Sequence, residues 1–267
     1  MEDGQGQVEL DARRELAAQL EQERADLQIE IDTFRQEYSA RVGPAQADRE
    51  ALALHIAEYR LRNELIRLRG KALDAVRLEA EVDWQLRGRR AQFEGYRESV
   101  DQAGRATRAH RPEPDTATQL DLKALYRDLA KRAHPDLAAG DDDRSARGAL
   151  MIEINQAYAC FDLAALKAIA ARLDASGPGT VAVAAERVRA EVERLDALIG
   201  SLRVEIAELN RSDWLAMKLD AALARSRGID WFDRARREIE ARAAQRRIEL
   251  DHLIAEFREL VREAGLG

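Results

Sequence analysis

His134, Pro135 and Asp136 are the residues whose types and order most invite a chemical reading. Proline lacks an amide donor and pushes the residue before it out of helical geometry, which predicts an extended His134 with Asp136 on the outgoing turn. Imidazole titrates near neutrality and a histidine at a helix end ordinarily serves as a cap or a surface group, so the tripeptide takes its meaning from its surroundings. Lys123, Arg127 and Lys131 recur every fourth residue upstream, on one face of a helix, with Arg132 beside them. A basic stripe by itself is a solvated face; one that runs directly into His134 is read here as functional. His55, His110 and His252 are isolated and carry no role.

Catalytic patterns are missing. The run Asp141, Asp142, Asp143 lacks the alternating spacing and terminal glutamate of a calcium loop and reads as an acidic, solvated loop. Cys160 is the only cysteine, so neither an internal disulfide nor a cysteine-rich zinc site can form, and beside Phe161 it reads as a small core residue. Trp84, Trp214 and Trp231 read as packing residues near helix ends or turns. There is no glycine-rich phosphate loop, no triad neighbourhood and no zinc-ligand spacing. The expectation is a protein that is not an enzyme and needs no cofactor or metal.

The elements that position the tripeptide follow from periodicity. Leu122, Leu125, Tyr126, Leu129, Ala130 and Ala133 fall at i, i+3, i+4, i+7, i+8 and i+11, one buried helix face ending at Pro135. Met151, Ile154, Ala157, Tyr158 and Phe161 give a second helix its own apolar face, able to pack antiparallel on the first. Asp162 is placed to cap a further short helix through Leu163, Leu166 and Ile169.

With those residues in place, LKALYRDLAKRAHPD resembles helix II and the His-Pro-Asp loop of the J-domain of the DnaJ co-chaperone family, and MIEINQAYACF resembles its helix III, over roughly 40 residues. The resemblance implies a binding event that triggers another protein's chemistry. In the family the basic face of helix II docks on an acidic surface of a DnaK-type ATPase, the aspartate pairs with an arginine of that ATPase, and ATP hydrolysis is stimulated. Carried over, Lys123, Arg127, Lys131 and Arg132 would dock while His134, Pro135 and Asp136 form the trigger, and Leu122, Leu125, Tyr126, Leu129, Ile154, Ala157, Tyr158 and Phe161 form the domain core. Complementary charge would set encounter rate and orientation, and the Asp–Arg contact would add a directional anchor. The chain departs from the family in three ways. No helix I signature precedes the unit, so either another element supports the helix pair or the unit is less stable alone. Leu137 stands where the family has a lysine. No Gly/Phe-rich or cysteine-rich module follows.

The rest of the chain reads as coiled coil. Of 267 residues, 35% are charged and only 5% aromatic, thin material for a thick globular core, while Pro and Gly number 5 and 15; extended helices suit this mixture. Leu10, Ala17, Leu20, Leu27, Ile31, Phe34 and Tyr38 form a seam interrupted by Arg13 and Arg24; Gly43-Pro44 punctuates it; Leu54, Leu61, Leu65, Leu68, Ala72 and Ala75 continue, then Leu78, Val82 and Leu86 in shifted phase. Val188, Val192, Leu195, Ile199, Leu202, Ile206 and Leu209 give the cleanest alternation. A connector containing Ser212, Trp214 and Gly228 leads to a last helix capped by Asp230, with seam Phe232, Ile239, Ala243, Leu250, Leu253, Phe257 and Leu260. The predicted fold is all-α: a J-like helical hairpin between two antiparallel coiled-coil hairpins. The predicted boundaries are an N-terminal hairpin at 1–105, a linker at 106–115, the J-like domain at 116–175, a linker at 176–180 and a C-terminal hairpin at 181–267.

The resulting expectation is a cytoplasmic co-chaperone that stimulates a DnaK-type heat-shock ATPase, with coiled-coil arms recruiting a client or an assembly. The alternative is a coiled-coil scaffold whose J-like module is uncoupled from ATPase stimulation. Net charge of −7 and pI near 5.4 argue against coating nucleic acid, and the glutamates among the arginines of RARREIEARAAQRR argue against membrane-surface binding. No apolar run approaches the roughly 20 residues that cross a bilayer, and the N-terminus lacks a secretory h-region. Whether the helices pair within one chain or in a homodimer is open from sequence.

Overall fold

The heptad-like stripes become helix throughout the described residues, which are 2–72, 74–108, 114–138, 141–175 and 185–265 of a computed structural model; no strand occurs among them. The helices are α1 (Glu2–Arg41), α2 (Gly43–Arg69), α3 (Ala75–Arg108), α4 (Thr116–Ala133), α5 (Asp141–Ala159), α6 (Leu163–Ala175), α7 (Ala185–Asn210), α8 (Asp213–Ser226) and α9 (Trp231–Ala264). Short 3-10 turns cover Gly70–Ala72 and Pro135–Leu137. The chain is all-α, as its composition predicts.

Its contacts form two units, and each is drawn from two separated stretches: Met1–Thr33 with Arg111–Met217, and Phe34–His110 with Lys218–Gly267. Each unit therefore combines part of the expected N-terminal hairpin region with part of the C-terminal one. No reversal separates α1 from α2: the single intervening residue, Val42, stays right-handed helical, and Gly43 is not among the positive-φ glycines that a reversing cap would use. Pro44 does occupy the first turn of α2, where its missing amide costs nothing. The reversal comes later, at Gly70, whose φ of 52° and ψ of −132° suit only glycine. It sends α3 back antiparallel along α2, with Arg62 meeting Glu79, Glu58 meeting Arg90 and Gln46 meeting Tyr96.

In the second unit α2 also lies beside α9. Arg41 and Arg60 pair with Asp230 and Glu249, and Arg67 with Glu256, each at the same separation along the chain of 189 residues, so the two segments run parallel in fixed register. Leu65, Ile66, Leu78, Val82 and Leu86 form the core there, with Phe257, Leu260 and Val261 against it. In the first unit α1 packs on α7, also in parallel: Arg14 meets Glu191, Arg13 meets Asp196 and Arg24 approaches Glu205 at 3.7 Å. Leu10, Ala17, Leu195, Leu198, Ile199 and Leu202 are buried between them. Arg13 and Arg24, which interrupt the α1 seam in sequence, supply its ion pairs.

Four local expectations are corrected. Ser212–Gly228 is not a connector: Ser212 Oγ accepts from Leu215 N at 3.3 Å and starts α8. Asp141–Asp143 form the first turn of α5 rather than a loop, because carboxylates there complement the helix dipole. Trp84 is 68% exposed, not packed. Cys160 is exposed, not core. Helix α3 continues to Arg108, past the expected start of the first linker; the second linker, 176–180, and the Val188 side chain lie outside the described residues. Asp230 caps α9 by accepting from Asp233 N, as the sequence indicates.

Candidate functional site

Helix α4 is launched by Asp115, whose side chain accepts from Thr118 N at 2.7 Å, and ends where Pro135 forbids continuation. His134 takes φ −62° and ψ 129°, the extended geometry expected before proline. Its Nδ1 accepts from the Asp136 backbone amide at 3.1 Å, which ties the imidazole to the backbone of the turn that carries Asp136. The turn delivers the chain into α5, which returns antiparallel to α4: Arg147 donates to Arg132 O at 2.9 Å near the turn, and the Tyr126 hydroxyl donates to Asn155 Oδ1 at 2.8 Å farther along.

One apolar core holds this hairpin. Leu122, Tyr126, Leu129, Ala130, Ala133, Met151, Ile154, Ala157 and Tyr158 are buried together, with Leu125 and Phe161 packed on the edge. Tyr126 and Tyr158 pack with ring centroids 4.3 Å apart. Two further helices support the pair from two sides. Leu166 and Ile169 of α6 are buried in the same core, launched by Asp162, which accepts from Ala165 N at 2.9 Å. Ala25 and Ile29 of α1 enter it from the other.

That second support brings carboxylates to the basic stripe. Lys123 Nζ lies 2.8 Å from Asp26, Lys131 pairs with Glu15, and Arg127 approaches Glu15 at 3.9 Å, so α1 runs antiparallel along the face. Asp26 is shared, since the Tyr158 hydroxyl donates to it at 2.6 Å. Arg132 turns elsewhere, to Asp174 at 2.6 Å and Asp128 at 3.3 Å. Glu21, only 3% exposed, accepts from Arg24 and sits 4.0 Å from His134 Nε2. The His134 side chain keeps 13% of its surface, and burial holds its pKa below the usual 6.5 against the opposing pull of Glu21 and Asp136. Leu137 packs against the α1–α7 core. The cleft left between His134, Leu137, Ala17, Ala18, Glu21 and Leu198 measures about 10 Å³, room for one water at most. Asp136 alone of the tripeptide is exposed.

Compared with protein-family models, with curated proteins and with solved structures, the chain matches none. The reading of this site therefore stands on its residues.

The structure brings Lys123, Arg127, Lys131 and His134 onto one surface facing α1; it turns Arg132 away and leaves Asp136 in solvent. Glu15, Glu21 and Asp26 are site residues that sequence reasoning missed. Each sits in a run of charged and amide residues on α1, where nothing local distinguishes a carboxylate that meets α4 from one that meets water. Among the described residues no group of histidines, cysteines or carboxylates is arranged to hold a metal, and no helix is long and apolar enough to cross a membrane.

Proposed function

We propose that the chain is a non-enzymatic, cytoplasmic J-domain co-chaperone: α4, the His134-Pro135-Asp136 turn and α5 bind a DnaK-type ATPase and stimulate its hydrolysis of ATP. The helices outside that hairpin would hold a client or an assembly, and tethering would make the second encounter effectively intramolecular. The observation that carries this reading is Asp136, exposed on a proline-set turn at the tip of a helix that bears Lys123, Arg127, Lys131 and Arg132. A carboxylate so placed can pair with a partner's arginine without rearranging the core beneath it.

The test is steady-state ATP turnover of the cognate chaperone with the purified full chain added. Acceleration is expected, and loss of it in Asp136→Asn and His134→Gln. Wild-type protein that leaves turnover unchanged for every DnaK-type chaperone of the source cell would remove the proposal.

The alternative, a scaffold whose J-like hairpin is uncoupled from the ATPase, draws on one observation: Lys123, Lys131 and His134 already face carboxylates of their own chain. Chaperone binding indifferent to Asp136, or no binding, would favour it.

A further inference from the structure

The cations of α4 are engaged, yet poorly sealed. Lys123 and Lys131 keep 42% and 31% of their side-chain surface, and the Arg127 guanidinium meets Glu15 only at 3.9 Å while its Nε is buried without a hydrogen-bond partner. An arginine fork is best satisfied by a carboxylate that accepts from two of its nitrogens at once, and α1 does not supply one. Part-exposed ion pairs are individually weak and are displaced by a better-matched anion. Along the stripe itself the apolar residues of α1 are Ala25 and Ile29 at one end and the small Ala17 and Ala18 beside Ala130 and His134 at the other. At the tip the arrangement is tighter: Glu21 lies against His134, and Leu137 is drawn into the α1–α7 core.

We propose that the segment of α1 carrying Glu15, Glu21 and Asp26 occupies the docking face of α4 in cis and must leave it before an acidic partner surface can bind. The inference rests on the co-chaperone reading and adds its regulation. The α1 segment presents to α4 the same chemistry that the acidic ATPase surface would, a row of carboxylates on a rigid backbone, and the two compete for one set of cations. Asp136 stays outside the clasp and can make the first contact while the face is still covered. The apparent affinity for the chaperone then equals the intrinsic affinity scaled by the fraction of molecules in which α1 has lifted. Weakening the carboxylates raises that fraction without touching a docking residue.

The experiment compares the full-length wild-type chain with Glu15→Gln/Asp26→Asn by two readouts. The first is the acylation rate of Lys123 and Lys131, followed by mass spectrometry against exposed Lys167 in the same chain. Both lysines should react several-fold more slowly than Lys167 in the wild type and approach its rate in the variant. The second is binding to the ATP-bound cognate chaperone, which should tighten about tenfold in the variant, with the same plateau of stimulated turnover. Unchanged lysine reactivity means no clasp exists in solution and overturns the inference. Freed lysines with unchanged chaperone affinity also overturn it, while leaving the co-chaperone reading intact. Freed lysines with no chaperone binding by either protein refute that reading and the inference with it. Glu15→Gln alone, a near-isosteric change at a half-exposed site, guards against misfolding of the double variant and should move both readouts in the same direction by less.

Discussion

His134 shows how one residue is fixed by two different causes. Its backbone is set by Pro135, a local matter, while its ionisation is set by burial against α1. Because the folded pKa lies below the ordinary 6.5, the stability tied to the neutral ring is complete above that value and is lost as pH falls through 6.5 toward the folded pKa. Glu21, Asp136 and Glu205 pull the other way and Arg24 assists burial. The expected outcome is a ring that titrates below 6.5 by NMR and a decline in first-unit stability in that window, absent from His134→Gln. Glu15 gives a separate window: Lys131 holds its carboxyl below the usual range, so that contribution persists through neutrality and is lost only in acid, as pH falls through its lowered pKa. In the core beneath, Leu129 is fully buried, and Leu129→Ala should cost the first unit about 2–5 kcal/mol in denaturant unfolding.

Among the elements, the parallel pairing of α2 with α9 carries its own specificity device. Asn63 is buried in the seam and donates to Leu253 O and to Glu256 Oε2, both at 3.1 Å, while its Oδ1 finds no partner. A half-satisfied buried amide costs stability but forbids registers in which it would meet only hydrocarbon. Asn63→Leu should therefore raise the thermal midpoint of the second unit and weaken its register. Cysteine pairs at Arg60 with Glu249 and at neighbouring offsets would report this: crosslinking confined to the native offset in the wild type should spread in the variant. Gly43 plays a quieter part, since a Cβ there would come within 3.0 Å of Val100 where α3 returns to the start of α2.

At the scale of the whole molecule, the consequential fact is that each unit is built from two distant stretches of sequence. A chain stopped after Ala175 retains α4, α5 and α6 but loses Leu195, Leu198 and Leu202 from the first unit and Phe257, Leu260 and Val261 from the second. Consecutive domains would leave such a fragment folded. The contacts observed predict one that loses the α7 side of the α1 packing, shows weakened near-ultraviolet dichroism and is cut more rapidly by protease within α1 and α2.

The residues themselves determined helix nearly everywhere, the α4 face, the break at Pro135, the extended His134, the caps at Asp162 and Asp230 and the membership of the α4–α5 core. All of these depend on neighbours within a few turns, and 3.6-residue periodicity or proline stereochemistry suffices to write them. What the heptads could not specify was the partner: an apolar stripe demands burial without naming the surface that buries it, so α2 joined α9 and α3 rather than α1. The same indifference hid Glu15, Glu21 and Asp26, whose role exists only because Ala25 and Ile29 seat α1 against the α4–α5 core. Whether a basic stripe faces water or a carboxylate is decided by the helix laid across it, and only the tertiary structure lays it there.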